Sequence, residues 1–125
     1  MIKEILKNRI LVLDGAMGTM IQKYTLSEED YRGSRFTNIQ NDVQGNNDLL
    51  SITQPDIIKQ IHTEYLDAGS DIIETNTFNA NGISMQDYQM VDLVYELNFE
   101  SAKIAKKLCV EYSKQSLEKP RFVAG

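Results

Sequence analysis

Three short apolar segments, separated by stretches with helical periodicity, limit what this chain can fold into. The segments are Ile10–Leu13, Asp71–Thr75 and Arg121–Ala124, and each is followed by polar residues or by glycine. Continuous apolar runs of this length are typical of strands that are covered on both faces, as in parallel sheets. We therefore predict about three parallel strands with intervening helices, arranged as successive right-handed βαβ units.

The two stretches between these strands carry clear helix signals. In the first, roughly 54–68, Thr53 and Asp56 have the spacing of a capping box, and Gly69 supplies the left-handed residue that ends a helix. The second runs from about residue 91 to residue 112 with a period of 3.6. The spacing predicts one buried stripe on each helix. The stripes are Ile57, Ile58, Ile61, Tyr65 and Leu66 on the first, and Val91, Val94, Tyr95, Asn98, Ala102, Ala105, Cys109 and Tyr112 on the second.

The order strand, helix, strand, helix, strand is the opening of an α/β fold. Three parallel strands alone would leave an open sheet with two unpaired edges, and no helix follows the last strand. A (β/α)₈ TIM barrel needs about 250 residues, and this sequence has 125. We therefore expect residues 1–125 to be the N-terminal portion of one barrel domain, truncated before the remainder. The polar segment Thr25–Asp48 is too long for a plain connection, so we expect a functional or disordered loop, and one hypothesis is that it covers the mouth of the barrel.

Composition argues against several classes of function. The net charge is −5 and the basic residues are scattered, which disfavours a nucleic-acid partner because phosphate binding needs a basic face. No apolar stretch approaches the roughly 20 residues that cross a bilayer, so we expect no membrane partner. The single cysteine, Cys109, excludes an internal disulfide and a cysteine-cluster metal site, and it fits a reducing cytoplasm. His62 is the only histidine and lies in a predicted helix, so no Ser-His-Asp set can be built.

The end of the first predicted strand has the chemistry of an amino-acid site. In parallel α/β folds, ligands bind at the carboxyl ends of strands, and here Asp14-Gly15-Ala16-Met17 turns from a strand towards a helix. A glycine turn exposes backbone N–H groups that favour a carboxylate or phosphate, while Asp14 offers a negative charge for an ammonium. Alternatively, Asp14 caps the helix and the glycines only make the turn. A nucleotide site is disfavoured because neither a G-x-G-x-x-G nor a Walker motif is present.

The end of the second predicted strand, residues 74–79, is also polar. Its charged and amide side chains are hard to explain as core packing, and a period of two places Glu74 and Asn76 on one face. These residues either line a pocket or form a structural hydrogen-bond network under the loops. The candidate substrate-binding residues are Asp14, Gly15, Ala16, Met17, Thr75, Asn76, Thr77 and Asn79.

Several segments of the sequence resemble the homocysteine S-methyltransferase family. They are Ile10–Gln22, Asn46–Ile58 and Asp71–Ala80, and they occur in the family's order. Two further segments, Asp87–Met90 and Glu96–Phe99, resemble specifically its cobalamin-dependent methionine synthase branch. The resemblance spans nearly the whole chain, and several ordered motifs are more specific than any single one.

The resemblance implies a (β/α)₈ barrel that binds homocysteine and a zinc ion held by three cysteines. In the family one of these lies on a middle strand and two are adjacent near the end of the barrel. This chain ends before either place and Cys109 matches none of them, so we expect neither metal ligands nor catalytic residues within it, and an inactive fragment. The resemblance assigns the homocysteine ammonium to Asp14 and its carboxylate to the amides of residues 15–17. It places residues 75–79 near the thiol or the metal.

The resemblance also implies the chemistry and its partners. Zinc deprotonates the homocysteine thiol, which attacks a methyl group carried on cobalamin and ultimately derived from methyltetrahydrofolate. The folate and cobalamin modules of the same full-length chain would then be partners in the cytoplasm. Two alternatives stay open: a cobalamin-independent relative with S-methylmethionine or betaine as methyl donor, and a non-catalytic domain that holds an amino acid.

Overall fold

The computed structural model describes residues 1–125 as a mixed helical and parallel-stranded fold. None of its helices combines the length and the apolar composition that crossing a membrane requires. The elements are α1 (Ile2–Leu6), α2 (Met17–Gln22), α3 (Glu28–Arg32), a 3₁₀-helix (Asn47–Leu49), α4 (Leu50–Thr53), α5 (Pro55–Ala68), β1 (Ile72–Glu74), α6 (Gly82–Gln86), a second 3₁₀-helix (Val91–Leu93), α7 (Val94–Gln115) and β2 (Phe122–Ala124).

The sheet has the predicted parallel direction, but only two of the three predicted strands are formed. β1 and β2 pair in parallel along their whole length. The first predicted strand, Ile10–Leu13, is reduced to one parallel bridge between Leu13 and Ile72. The Ile72 N–H still donates to the Val12 carbonyl, so this segment lies beside β1. No further strand pairs with its other edge, which leaves it half of the hydrogen bonds of an interior strand.

Helix α5 lies where the sequence predicts it, but its first turn is built differently. Pro55 occupies the first helical position, where a missing N–H costs nothing, and Gln54 caps without a side-chain hydrogen bond. The predicted capping box of Thr53 and Asp56 is wrong, because Thr53 belongs to α4 and donates to a carbonyl of that helix's preceding turn. Gly69 ends α5 in the left-handed region, with φ of 110°, as predicted.

Helix α7 is also present, but the face that it buries is rotated from the predicted stripe. Tyr95 is 80% exposed, and Asn98 and Ala102 are exposed as well. Tyr95 and Phe99 stack on each other on the outer face, so apolar residues lie on both sides of the helix and periodicity alone selects the wrong phase. The buried residues are Leu97, Ser101, Ala105, Leu108 and Cys109.

Two clusters of buried apolar side chains hold the helices to one another and to the sheet. The larger includes Leu49 and Leu50 of the 3₁₀-α4 turn and Ile58 and Ile61 of α5. The smaller joins β1 to α5 and α7 around Ile73. Helices α5 and α7 thus pack against the strands, and the carboxyl end of β1 carries one of the two polar turns.

The segment 25–48 is folded by its own polar side chains. α3 begins at a capping box in which Ser27 and Asp30 bond to each other's backbone N–H. The Arg32 guanidinium donates to three carbonyls between residues 36 and 41, and the Glu28 carboxylate accepts from the N–H groups of residues 43 and 44. The polar composition therefore serves internal hydrogen bonds, and the expectation of disorder here is wrong.

The N-terminal helix is tied to the sheet by a buried carboxylate. Asp71, directly before β1, accepts two hydrogen bonds from the Arg9 guanidinium, at 2.7 and 2.9 Å, and one from the Val12 N–H at 2.9 Å. The Arg9 hydrogen bond holds the pKa of the Asp71 carboxyl below its usual range. This contact connects segments 62 residues apart in the sequence.

Asp71→Ala is expected to lower the free energy of unfolding by about 2 kcal/mol, because it removes charge-assisted hydrogen bonds and leaves two partly buried donors, on Arg9 and Val12, without this acceptor. Urea unfolding followed by circular dichroism measures the change. Asp87→Ala, at an exposed carboxylate, is the matched control and should change the unfolding midpoint little. Equal midpoints for the two variants would contradict the prediction.

Candidate functional site

The two polar strand ends meet at one cavity of about 670 Å³. Every predicted site residue except Asp14 lines it. The lining residues are Gly15, Ala16, Met17, Gly18, Thr19, Asn47, Asp48, Glu74, Thr75, Asn76, Thr77, Phe78, Asn79, Ala124 and Gly125. The turn after the first segment and the turn after β1 therefore line the same cavity, as expected for the carboxyl ends of adjacent parallel strands.

The first turn leaves its backbone amides free. Ala16 is the N-cap of α2 and makes no side-chain cap hydrogen bond, so the alternative in which Asp14 caps this helix is wrong. The N–H groups of Gly15, Ala16 and Met17 donate to no backbone carbonyl. The Tyr65 hydroxyl, from α5, donates to the Ala16 carbonyl at 2.8 Å and fixes the turn. A Cβ on Gly15 would lie 3.2 Å from that hydroxyl, so glycine leaves room for the contact.

Asp14 lies at the start of this turn and keeps one oxygen without a partner. Its Oδ2 accepts from the Glu74 N–H at 3.1 Å, which ties the first segment to β1. Its Oδ1 is buried and has no hydrogen-bond partner. Burial raises the pKa of the Asp14 carboxyl to about 6, the Glu74 charge adds to the rise, and the hydrogen bond from Glu74 opposes it. A buried carboxylate oxygen without a donor is an acceptor that a cationic group could satisfy.

The turn after β1 is fixed by polar contacts with the 3₁₀-α4 region. The Asn76 side-chain Nδ2 donates to the Asn47 carbonyl at 2.9 Å and lies 3.2 Å from the Ser51 Oγ. The Asn79 N–H donates to the Asp48 Oδ1 at 3.0 Å. For Asn76, the interpretation as a structural hydrogen-bond network therefore holds, because both N–H groups of its side-chain amide donate to other residues of the chain. Its side-chain NH₂ has no N–H group left for a substrate.

The cavity wall next to this turn is formed by hydroxyls and one exposed ring. The Thr75 and Thr77 hydroxyls lie 2.7 Å apart. A Cβ on Gly125, directly after β2, would lie 2.9 Å from the Thr75 Oγ1, so glycine there leaves the threonine in place. Phe78 is 94% exposed at the same cavity. This combination offers both polar and apolar contacts to a ligand.

Asn47 and Asp48 are lining residues that the sequence interpretation did not name. Burial raises the pKa of the Asp48 carboxyl, and the hydrogen bond from the Asn79 N–H opposes this. The available signal was the polar cluster 46–48 directly before the apolar pair 49–50. From the segment 25–48 only these two residues reach the cavity. The segment therefore contributes to one wall of this cavity, and its covering of the barrel mouth stays a prediction.

The side chains of the types that commonly hold zinc lie in the core. The Cys109 thiol donates to the Phe122 carbonyl at 3.4 Å, and burial raises the pKa of this thiol to about 11. His62 is fully buried. No three histidine, cysteine, aspartate or glutamate side chains are grouped as a metal ion would require. Within residues 1–125, therefore, no set of side chains forms a zinc site.

Comparison with known proteins identifies a family and a fold. A family profile described as homocysteine S-methyltransferase matches residues 11–125. The crystal structure of the homocysteine methyltransferase MmuM from Escherichia coli in its metallated form superimposes with a TM-score of 0.73 at 19% identity, covering 99% of this chain and 40% of that chain. The oxidized form gives 0.74 at 20% identity, with 99% and 39% covered. This chain thus spans about two-fifths of that structure, and the prediction of part of a TIM barrel is confirmed.

Proposed function

Because this chain belongs to the homocysteine S-methyltransferase family, we propose that its cavity binds homocysteine for methyl transfer to the substrate thiol. One observation carries the proposal. The unpartnered Asp14 Oδ1 lies next in sequence to the free amides of residues 15–17. The first group suits a cation and the second an anion, and an amino acid carries both.

The residues of this chain can bind and orient that substrate. Asp14 accepts from the ammonium, and the amides of residues 15–17 donate to the carboxylate. With both charged ends held at the first turn, the side chain of homocysteine extends along the wall formed by residues 75–79. Phe78 offers its methylene groups an apolar contact, and the Thr75–Thr77 pair lies beside them. Fixing the zwitterion limits the positions that the thiol can take, which is how a binding site lowers the entropic part of a barrier.

For the methyl donor we propose the cobalamin-dependent methionine synthase branch, with zinc and cobalamin as cofactors of the full-length cytoplasmic enzyme and methyltetrahydrofolate as the ultimate source. The resemblance of Asp87–Met90 and Glu96–Phe99 to that branch supports this assignment. Neither segment lines the cavity, so the choice of donor rests on the resemblance alone. Methyl transfer assays with methylcobalamin, S-methylmethionine and betaine, on the protein as its gene encodes it, distinguish the candidates.

Two truncated analogues test the binding proposal directly. 4-Mercaptobutanoate lacks the ammonium of homocysteine, and 3-aminopropanethiol lacks the carboxylate. We expect calorimetry to show that each binds the encoded protein about 100-fold more weakly than homocysteine, since the first leaves the Asp14 carboxylate and the second leaves the amides of residues 15–17 without a ligand group. Equal affinities would mean that the zwitterion is not recognised. Binding of homocysteine without turnover of any of the three donors would favour the non-catalytic alternative.

A further inference from the structure

We propose that Ser101 of α7 is a positioning residue for the homocysteine cavity, acting through a closed ring of hydrogen bonds on Asn76; this rests on the function proposed above. The Ser101 Oγ lies 3.1 Å from the Asn76 carbonyl and 2.7 Å from the Ser51 Oγ. The Ser51 Oγ in turn lies 3.2 Å from the Asn76 Nδ2. Three residues, one each from α7, α4 and the turn after β1, are thus linked in a ring in which each contacts the other two.

The Ser101 hydroxyl has one proton, and two acceptors lie within hydrogen-bond distance of it, the Ser51 Oγ and the Asn76 carbonyl. The Ser51 Oγ also accepts from the Asn76 Nδ2. Ser101 therefore contacts Asn76 directly at its carbonyl and, through Ser51, at its side-chain amide. The ring begins and ends on Asn76 and holds its backbone and its side chain together.

Burial gives this ring its influence on the turn. Ser101 is 0% exposed, Ser51 is 2% exposed and Asn76 is 6% exposed, so water has little access to replace a lost partner. A buried polar group without a partner costs more free energy than the bond itself contributes. Loss of one hydroxyl is therefore expected to make the turn shift until its polar groups find other partners.

The turn that would shift is a wall of the cavity. Thr75 and Thr77, on either side of Asn76, both line it, whereas Ser101 does not. Ser101 can affect a ligand only through Asn76, which makes it a positioning residue. An alanine would fill the core position without the cost of burying a hydroxyl, so holding the turn is a reason for a serine here.

Ser101→Ala tests the proposal against a matched change on the same helix. Ser113 also uses its hydroxyl on a backbone group, accepting from the Arg121 N–H at 2.8 Å, but it does not line the cavity. In the encoded protein we expect Ser101→Ala to raise the Kd for homocysteine about tenfold and to speed amide exchange of residues 75–80. Ser113→Ala should leave both within twofold of wild type.

A double variant separates the ring from a general loss of stability. Ser51→Ala breaks the same ring from α4, so Ser51→Ala/Ser101→Ala should bind homocysteine no more weakly than the weaker single variant. If the double variant instead raises the Kd by the product of the two single effects, Ser51 and Ser101 act independently, which contradicts the proposed ring. If Ser101→Ala does not fold, Ser51→Ala carries the same comparison with Ser113→Ala.

The exchange measurement keeps this inference apart from the proposed function. If the wild-type protein binds no homocysteine, the proposed function fails, and faster exchange confined to residues 75–80 in Ser101→Ala would still support control of the turn. Unchanged exchange in that peptide, or a homocysteine Kd within twofold of wild type, overturns the role of Ser101.

Discussion

Asp14→Asn is expected to weaken homocysteine binding about 100-fold at pH 7.5, measured by calorimetry on the protein as its gene encodes it. Asparagine keeps the shape of the side chain. It also keeps an oxygen that can accept from the Glu74 N–H, the hydrogen bond that ties the first segment to β1 in the wild type. It loses the charge that would meet the ammonium, and a hydrogen bond between charged groups contributes about 2–3 kcal/mol. Asp92→Asn, at an exposed carboxylate outside the cavity, is the matched control.

The same carboxylate predicts how binding depends on pH. Because the pKa of Asp14 is raised to about 6, the group is ionised above that pH and protonated below it, while the ligand ammonium stays charged throughout. The Kd should therefore be constant above about pH 7 and rise roughly tenfold for each unit below pH 6. Burial is the main cause of the raised pKa of Asp14, and Glu74→Gln removes the like charge that adds to it, so this variant should move the turning point slightly to lower pH. A flat profile between pH 5 and 8, or the wild-type profile in Asp14→Asn, would contradict the role of Asp14.

The position of the candidate site could be predicted from the sequence because it follows from a property of parallel sheets. Successive parallel strands end at one edge, so polar residues directly after two such strands must come together. Gly15 and Thr75, 60 positions apart in the sequence, accordingly line one cavity. This inference needed only the direction and the ends of the strands, and it holds although the first strand is reduced to a single bridge.

Contacts that depend on packing partners could not be predicted in this way. The phase of α7 is decided by the elements that it packs against, and with Tyr95 and Phe99 on the outer face the local pattern favoured the wrong side. The link from Asn76 to Ser51 and Ser101 joins three elements that no local spacing connects. The spacing that suggested a cap at Thr53 was local, but Pro55 made another first turn available.

The partners of charged residues such as Arg32 and Asp71 could not be predicted, because the sequence does not show which distant groups will lie beside them. The Arg32 guanidinium donates hydrogen bonds to carbonyls of residues 36–41, and the Asp71 carboxylate accepts hydrogen bonds from Arg9. In each case a charged side chain satisfies buried backbone or ionic partners, which is the condition for burying it at all. The sequence shows only that such a residue is charged, and the folded structure shows which groups it binds.

His62 differs from these residues, because its polar side chain is buried without any hydrogen-bond partner. Neither ring nitrogen has a hydrogen-bond partner, and burial lowers the pKa of the imidazole to about 4. An unfolded chain has a histidine pKa of about 6.5. Between these values the unfolded state binds a proton that the folded state does not, so stability falls as the pH falls from about 6.5 to about 4, by on the order of 3 kcal/mol in total.

His62→Leu is therefore expected to raise the free energy of unfolding by about 1 kcal/mol at pH 7.5, since it removes two buried polar atoms without partners. It should also remove the loss of about 2 kcal/mol that the His62 imidazole contributes between pH 6.5 and pH 5. Urea unfolding at both pH values measures these changes. Gln60→Leu, at an exposed position of the same helix, should keep the wild-type pH dependence.

Asp14 acts on stability in the other direction and must be separated from His62. Its raised pKa lets the folded state take up a proton before the unfolded state does, so falling pH between about 6 and 3.8 favours folding through this group. The two effects oppose each other in the wild type, so in an Asp14→Asn background the loss of stability with falling pH should be steeper. If His62→Leu in that background loses stability with acid as steeply as its parent, the buried imidazole is not the group that titrates.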